Sequence, residues 1–140
     1  MGAINYFHDL LYVCAPAPFQ HGCADGVEKL GKTFYARLSL EHEEKRQMMV
    51  DALRLAGMAP HVPDGAYYVL ASTKGVEDKL AGRTAAERAR ALLKKTGVAA
   101  VAGTAFFAPG SGRGDDLLRF CFAKKDEDLA EACRRLQGLA

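Results

Sequence analysis

The stretch Leu117–Leu136, LLRFCFAKKDEDLAEACRRL, changes its periodicity halfway and so sets a strand directly before a helix. From Leu117 to Ala123, alternation puts Leu118, Phe120 and Phe122 on one face and Arg119, Cys121 and Ala123 on the other. From Asp126 the apolar residues Leu129, Ala132, Cys133 and Leu136 recur at helical spacing. Acids open this helix and Arg134 and Arg135 close it, the order that its dipole prefers. One apolar strand face beside one apolar helix stripe is the unit of a sheet covered by helices.

Working back along the chain, Thr84-x-x-Glu87 is a capping box that opens a second helix. Leu92 and Leu93 supply its apolar face, and Lys94, Lys95 and Gly97 mark its end. Val98 to Val101 reads as a strand, and Ala108 to Asp116 as a Gly-rich loop. Pro63-Asp64-Gly65 is a turn between two short runs, Ala59 to Val62 and Tyr67 to Ala71, which pair as a hairpin. A long helix is expected from Thr33 to Ala56, with Phe34, Leu38, Met48, Met49, Ala52 and Leu53 inward, a Glu41/Lys45 pair outside and Gly57 at its end.

Before it, Ile4, Phe7, Leu11 and Tyr12 make a helical stripe in Ile4 to Val13 with no cap ahead of it, as if the chain started inside a helix. Ala15-Pro16-Ala17-Pro18 breaks that helix, and Phe19 to Leu30 forms another. The fold class is therefore α+β: a small sheet of about four short strands covered by helices, preceded by N-terminal helices.

The totals agree with one globular domain. With 140 residues, the chain is long enough to bury roughly 70% of its unfolded surface without disulfides or metal. Half-apolar composition (49%) with 26% charged residues argues against disorder. A net charge of +2, with bases and acids interspersed, gives no footprint for nucleic acid. No apolar run is long enough to span a bilayer and no secretion signal opens the chain, so the expectation is a cytoplasmic protein with no membrane partner. Cys14, Cys23, Cys121 and Cys133 stand far apart and the four histidines show no chelating spacing, so no metal is expected and the cysteines read as buried hydrophobes.

Arg119 is the most informative residue, because a guanidinium inside an apolar strand needs a carboxylate or water. That carboxylate belongs either to a ligand, gripped by two parallel hydrogen bonds, or to the protein itself in an internal ion pair; an edge strand with the arginine in water is the third arrangement. Position alone does not choose among them.

Resemblance does. His8-Asp9-x-x-x-Val13-Cys14-Ala15-Pro16-x-Pro18-x-Gln20, Pro63-x-Gly65-Ala66-Tyr67-Tyr68, Val98-Ala99-x-Val101-x-Gly103-x-x-Phe106 and Leu118-Arg119-Phe120-x-Phe122-Ala123 resemble, in order and spacing, the class I/II aminotransferases. The family usually has proline where this chain has Ala102 before Gly103. The resemblance implies a C-terminal small domain over 33–140, with 1–32 as a helical remnant of the interdomain region. It also implies that Arg119 binds a substrate α-carboxylate, with Tyr67 and Phe106 as further candidates for the pocket wall.

In that family a large domain carries a Ser-x-x-Lys motif with a downstream Gly-x-Arg, and its lysine holds pyridoxal 5'-phosphate. This sequence contains no such motif. The expected function is thus that of the C-terminal fragment of an enzyme passing an amino group between an amino acid and a 2-oxo acid, not catalytic alone. No catalytic or cofactor-binding residue is assigned, and no cofactor is expected on this chain by itself. Its expected partners are the carboxylate of an amino acid or 2-oxo acid, the missing large domain and a second copy in a homodimer. The alternative is a stand-alone module derived from that domain, which recognises a small carboxylate or another protein.

Two motifs invite misreading. Ser72-Thr73-Lys74-Gly75 looks like a Schiff-base lysine context, yet nothing in its surroundings suggests a desolvated or cation-lined pocket. Gly110-Ser111-Gly112-Arg113-Gly114 looks like a phosphate cradle, but a strand follows it where such loops need a helix N-terminus.

Overall fold

The computed structural model describes residues 2–139. The chain forms two compact units, Met1–Ser39 and Leu40–Ala140, and the helix α3 has residues in both. The first unit holds α1 (Gly2–Tyr12), α2 (Ala17–Lys29) and the start of α3 (Gly31–Leu55). Pro16 stands just ahead of α2, where a missing amide donor costs nothing. Neither α1 nor α2 buries a residue.

The second unit is α+β. Its four strands, β1 (Ala59–His61), β2 (Tyr68–Ser72), β3 (Val101–Ala102) and β4 (Leu117–Cys121), lie in the order β1-β2-β4-β3 with every neighbour antiparallel. The expected hairpin is present, with Ala59 opposite Ser72 and His61 opposite Leu70. Ala66 in its connection takes a left-handed φ of 67°, a strained choice for a residue with a Cβ.

Helix α4 (Ala85–Thr96) begins with both halves of the Thr84/Glu87 capping box and ends at Gly97. Helix α5 (Asp126–Gln137) buries Leu129, Cys133 and Leu136. The alternation read in β4 is the observed one: Leu118, Phe120 and the following Phe122 are buried, while Arg119 and Cys121 are half-buried on the other face. Burial of side chains as large as Phe120 and Phe122 contributes about 1.5–3 kcal/mol each. The core they anchor takes Met49, Val50 and Leu53 from α3, Leu92 from α4 and Leu129 and Leu136 from α5.

Several expectations are corrected. In α3 the inward stripe is Met49, Val50, Ala52 and Leu53, whereas Leu38 and Met48 are exposed, because the buried face of the helix turns on Met49 and Leu53 four residues apart. Leu93 is likewise exposed beside buried Leu92. Cys14 and Cys23 are exposed rather than buried, since Cys14 lies in the bend after α1 and Cys23 in α2, neither of which has a core, and only Cys133 is fully inside. The strand expected over Val98 to Val101 is reduced to Val101–Ala102, because residues 97–100 leave β4 before pairing with it.

Candidate functional site

The solvent side of β4 holds the site, and its geometry follows from register. Arg119 lies opposite Leu70 of β2 and Val101 of β3, so it is flanked on both sides by strands. Tyr68, opposite Cys121, shares Arg119's face and is its diagonal neighbour, within reach of a long side chain. Directly after β3, a 3-10 turn at Gly103–Phe106 returns Phe106 to the same place.

The Arg119 guanidinium carbon sits 5.1 Å from the centre of the Tyr68 ring and 4.7 Å from that of Phe106. Each such contact is worth about 0.5–1 kcal/mol where water still has access, more as water is excluded. No carboxylate of the described residues forms an ion pair with Arg119. Its buried Nε makes no hydrogen bond. The guanidinium thus lies against two rings while its donors stay uncommitted, a state suited to a planar acceptor such as a carboxylate.

Of the residues singled out in the sequence, the structure brings Phe106 to Arg119. Tyr67 precedes β2, is exposed, and meets Tyr68 edge-on at 5.4 Å instead of touching the guanidinium. Tyr68 is the ring that sequence reasoning did not select. Its signal was parity: it shares a face with Leu70, which pairs with Arg119.

The turn that carries Phe106 is fixed by a close backbone approach. A Cβ on Gly103 would stand 2.7 Å from the Gly114 carbonyl oxygen, and Gly114 has a φ of 81° with the Phe107 ring against it. Only two glycines allow this approach.

At the far end of β2, Ser72 donates its hydroxyl to Asp116 Oδ2 at 2.7 Å, and Thr73 donates both its amide (2.8 Å) and its hydroxyl (3.0 Å) to the Asp116 carbonyl. The Ser72 hydroxyl first, and the nearby Lys74 ammonium after it, hold the Asp116 carboxyl below the usual range. This latch ties the start of β4 to the end of β2.

The described residues do not fit pyridoxal phosphate. Lys74 is exposed and lies 3.5 Å from Asp116, so it is neither desolvated nor surrounded by cations. Lys45, whose side chain is well shielded, is hydrogen-bonded by Asp126 and Glu41, which raise its pKa, the opposite of what a nucleophilic amine requires. The Gly110–Gly114 loop leads into β4, not into a helix. Among the described residues no three His, Cys, Asp or Glu side chains gather to hold a metal, and no helix is long and apolar enough to cross a membrane.

Comparison with known proteins gives a consistent result. The family model for aminotransferase class I and II matches residues 3–136. YugH of Bacillus subtilis is 29% identical over 135 residues, which cover 96% of this chain and 32% of that protein. A kynurenine–oxoglutarate transaminase of Dictyostelium discoideum is 26% identical over 146 residues, covering 94% of this chain and 34% of the relative. Among solved structures, N-succinyldiaminopimelate aminotransferase from Mycobacterium tuberculosis superposes with a TM-score of 0.79 at 31% identity, covering 94% of this chain and 33% of that one. The chain spans about a third of the length of the relatives it matches.

Proposed function

The chain belongs to the class I and II aminotransferases, and on that premise we propose that it is the small-domain part, over 33–140, of an enzyme for amino-group transfer between an amino acid and a 2-oxo acid. Arg119 is the group that binds the α-carboxylate of the substrate. The observation that carries this reading is the Arg119 guanidinium itself, lying over Tyr68 and Phe106 with no carboxylate of the described residues as its partner.

In this family pyridoxal phosphate serves as the electron sink for the amino acid's carbon skeleton. Residues elsewhere in a complete enzyme would hold it, since those described here do not. What this chain contributes is substrate position. A guanidinium offers two parallel N–H donors to a carboxylate, which sets both the distance and the rotation of the substrate. Tyr68 and Phe106 both lie against the guanidinium and shield part of it from water, which strengthens its hold on an approaching carboxylate. Tyr67, exposed next to them, is assigned to the outer wall of the same pocket.

Titration of the 15N-labelled chain with pyruvate tests the reading. The Arg119 Nε–H signal and the amides of Tyr68 and Phe106 are expected to shift together at millimolar ligand, and Arg119→Lys to abolish the response. An unchanged spectrum, or shifts that survive Arg119→Lys, would overturn it.

A further inference from the structure

A cavity lies along the β3 edge of β4, where β3 ends too soon. Phe122 donates its amide to the Tyr67 carbonyl, so the even-numbered backbone groups of β4 face β2 and the odd-numbered ones face β3. Arg119 finds Val101 there. The next odd residue, Cys121, would face Ala99, but the chain has already left the sheet, and among the described residues no backbone bond joins Cys121 to residues 97–100. The gap is a cavity of about 370 Å³, bounded by Val98 and Ala99 on one side, Phe120 and Cys121 on the other, and α5 beneath. That volume falls within the range of small-molecule sites.

The lining is polarised. Val98, Ala99, Phe120, Leu129 and Ala132 give it an apolar floor. At the rim stand Lys124, Asp128, Glu131 and Arg135. Glu131 is already satisfied: Arg134 binds both its oxygens at 2.7 and 2.8 Å, Arg135 Nε adds a bond at 2.7 Å, and the two guanidiniums pull its pKa down to about 2. Arg135 keeps its terminal nitrogens, and Nη1 lies so close over Gly97 that a Cβ there would come within 2.8 Å. No ion pair of the described residues occupies Lys124 Nζ. Glu131 stays ionised and Arg134 offsets its charge, which leaves Arg135 and Lys124 as two cations against the carboxylate of Asp128, and the Cys121 amide adds an uncommitted donor.

We propose that this cavity, between residues 97–99, the end of β4 and α5, is a binding site for a small organic carboxylate with an apolar body, separate from Arg119. The apolar part lies on Phe120, Leu129 and Ala132, and the carboxylate meets the Cys121 N–H, Lys124 and the terminal nitrogens of Arg135. Arg119 is absent from its lining, so the site stands or falls independently of the reading of Arg119.

The test uses the whole 15N-labelled chain, with hexanoate and benzoate as probes and hexylamine and benzylamine as controls of the same shape and opposite charge. Both carboxylates are expected to shift the amides of Ala99, Cys121 and Ala132, and the amines to leave them in place. Lys124→Glu, a change at an exposed position, should weaken the response about tenfold or more, a loss of about 1.4 kcal/mol at tenfold. Ala132→Phe should fill the cavity and remove the response. Arg119→Lys should leave it unchanged. Absence of shifts with both carboxylates, equal shifts with the amines, or sensitivity to Arg119→Lys with none to Lys124→Glu would each overturn the proposal.

Discussion

The guanidinium carbon of Arg119 stands 4.7 Å from the centre of the Phe106 ring and 5.1 Å from that of Tyr68, and no carboxylate of the described residues pairs with it. A residue held this way adds little to folding. Arg119→Ala removes ring contacts but leaves no partner charge stranded, so a loss of about 1–2 kcal/mol is expected in urea unfolding. A residue in an internal ion pair behaves differently, since its loss costs about 3–5 kcal/mol. A measured loss in that upper range would assign Arg119 to the fold instead of to a ligand.

Incubation of the chain with pyridoxal phosphate, followed by borohydride reduction and peptide mapping, should label many lysines sparsely. The reason is uniform: Lys74 is exposed beside Asp116, and Lys45 is tied to Glu41 and Asp126. Stoichiometric labelling of one lysine, Lys74 above all, would mean that the chain builds a Schiff-base site that its geometry does not show.

Ala102 occupies the position where the family usually carries proline, yet its backbone is already that of a proline, with φ −59° and ψ 132°. The preceding Val101 is in a strand, as a residue before proline prefers to be, and β3 is the edge of the sheet. Because Val101 exchanges bonds with Arg119, the Ala102 amide points away from β4. Ala102→Pro should therefore stabilise the chain by about 0.4–1 kcal/mol through the unfolded state. Destabilisation would show that the Ala102 amide has a partner that matters.

Much of this arrangement was legible in the residues themselves. Parity in Leu117–Ala123 gave the buried face of β4, and Thr84, Glu87 and Gly97 gave both ends of α4, because caps and alternation are local. What stayed hidden depends on distant partners. The burial of Met49 but not Met48 is set by the sheet on which α3 rests, and the early departure of residues 97–100 leaves no mark on their apolar sequence. The choice of Tyr68 over Tyr67 beside Arg119 required the register of β2 against β4. Cys14 and Cys23 read as buried because cysteine usually is, but burial needs a core, and neither α2 nor the bend between α1 and α2 has one.

The Asp116 latch should give an acid-dependent stability term. Its carboxyl is depressed in the folded state, by the Ser72 hydroxyl before Lys74, relative to an ordinary aspartate of about 3.9. The stabilisation is therefore fully present above that value and is lost as pH falls through the lower folded one. Asp116→Asn keeps an acceptor for Ser72 but removes the charge, at a cost of about 1 kcal/mol near neutrality. Comparing unfolding of the two proteins from pH 7 to pH 2 isolates this group from Glu131 and Glu87, which are also depressed. The gap between the curves should close in acid; a constant gap would place the effect in packing instead of charge.

Self-association is the expectation that α1 carries. Ile4, Phe7 and Leu11 form a stripe along one side of the helix, and all three are more than half exposed within the chain, as are Leu10 and Tyr12 beside them. Apolar area removed from water contributes roughly 25 cal/mol per Å², so a helix with this surface gains by meeting another apolar face. For identical chains the commonest solution is a two-fold dimer, in which the same patch meets itself. The chain should then sediment as a dimer that dissociates on dilution. Phe7→Glu and Leu11→Glu each place a charge in the middle of that contact and should shift the equilibrium to monomer, while the urea unfolding of residues 40–140, which has its own core, stays the same. A parent protein that is monomeric at every concentration would refute the idea, as would a dimer that neither substitution disturbs.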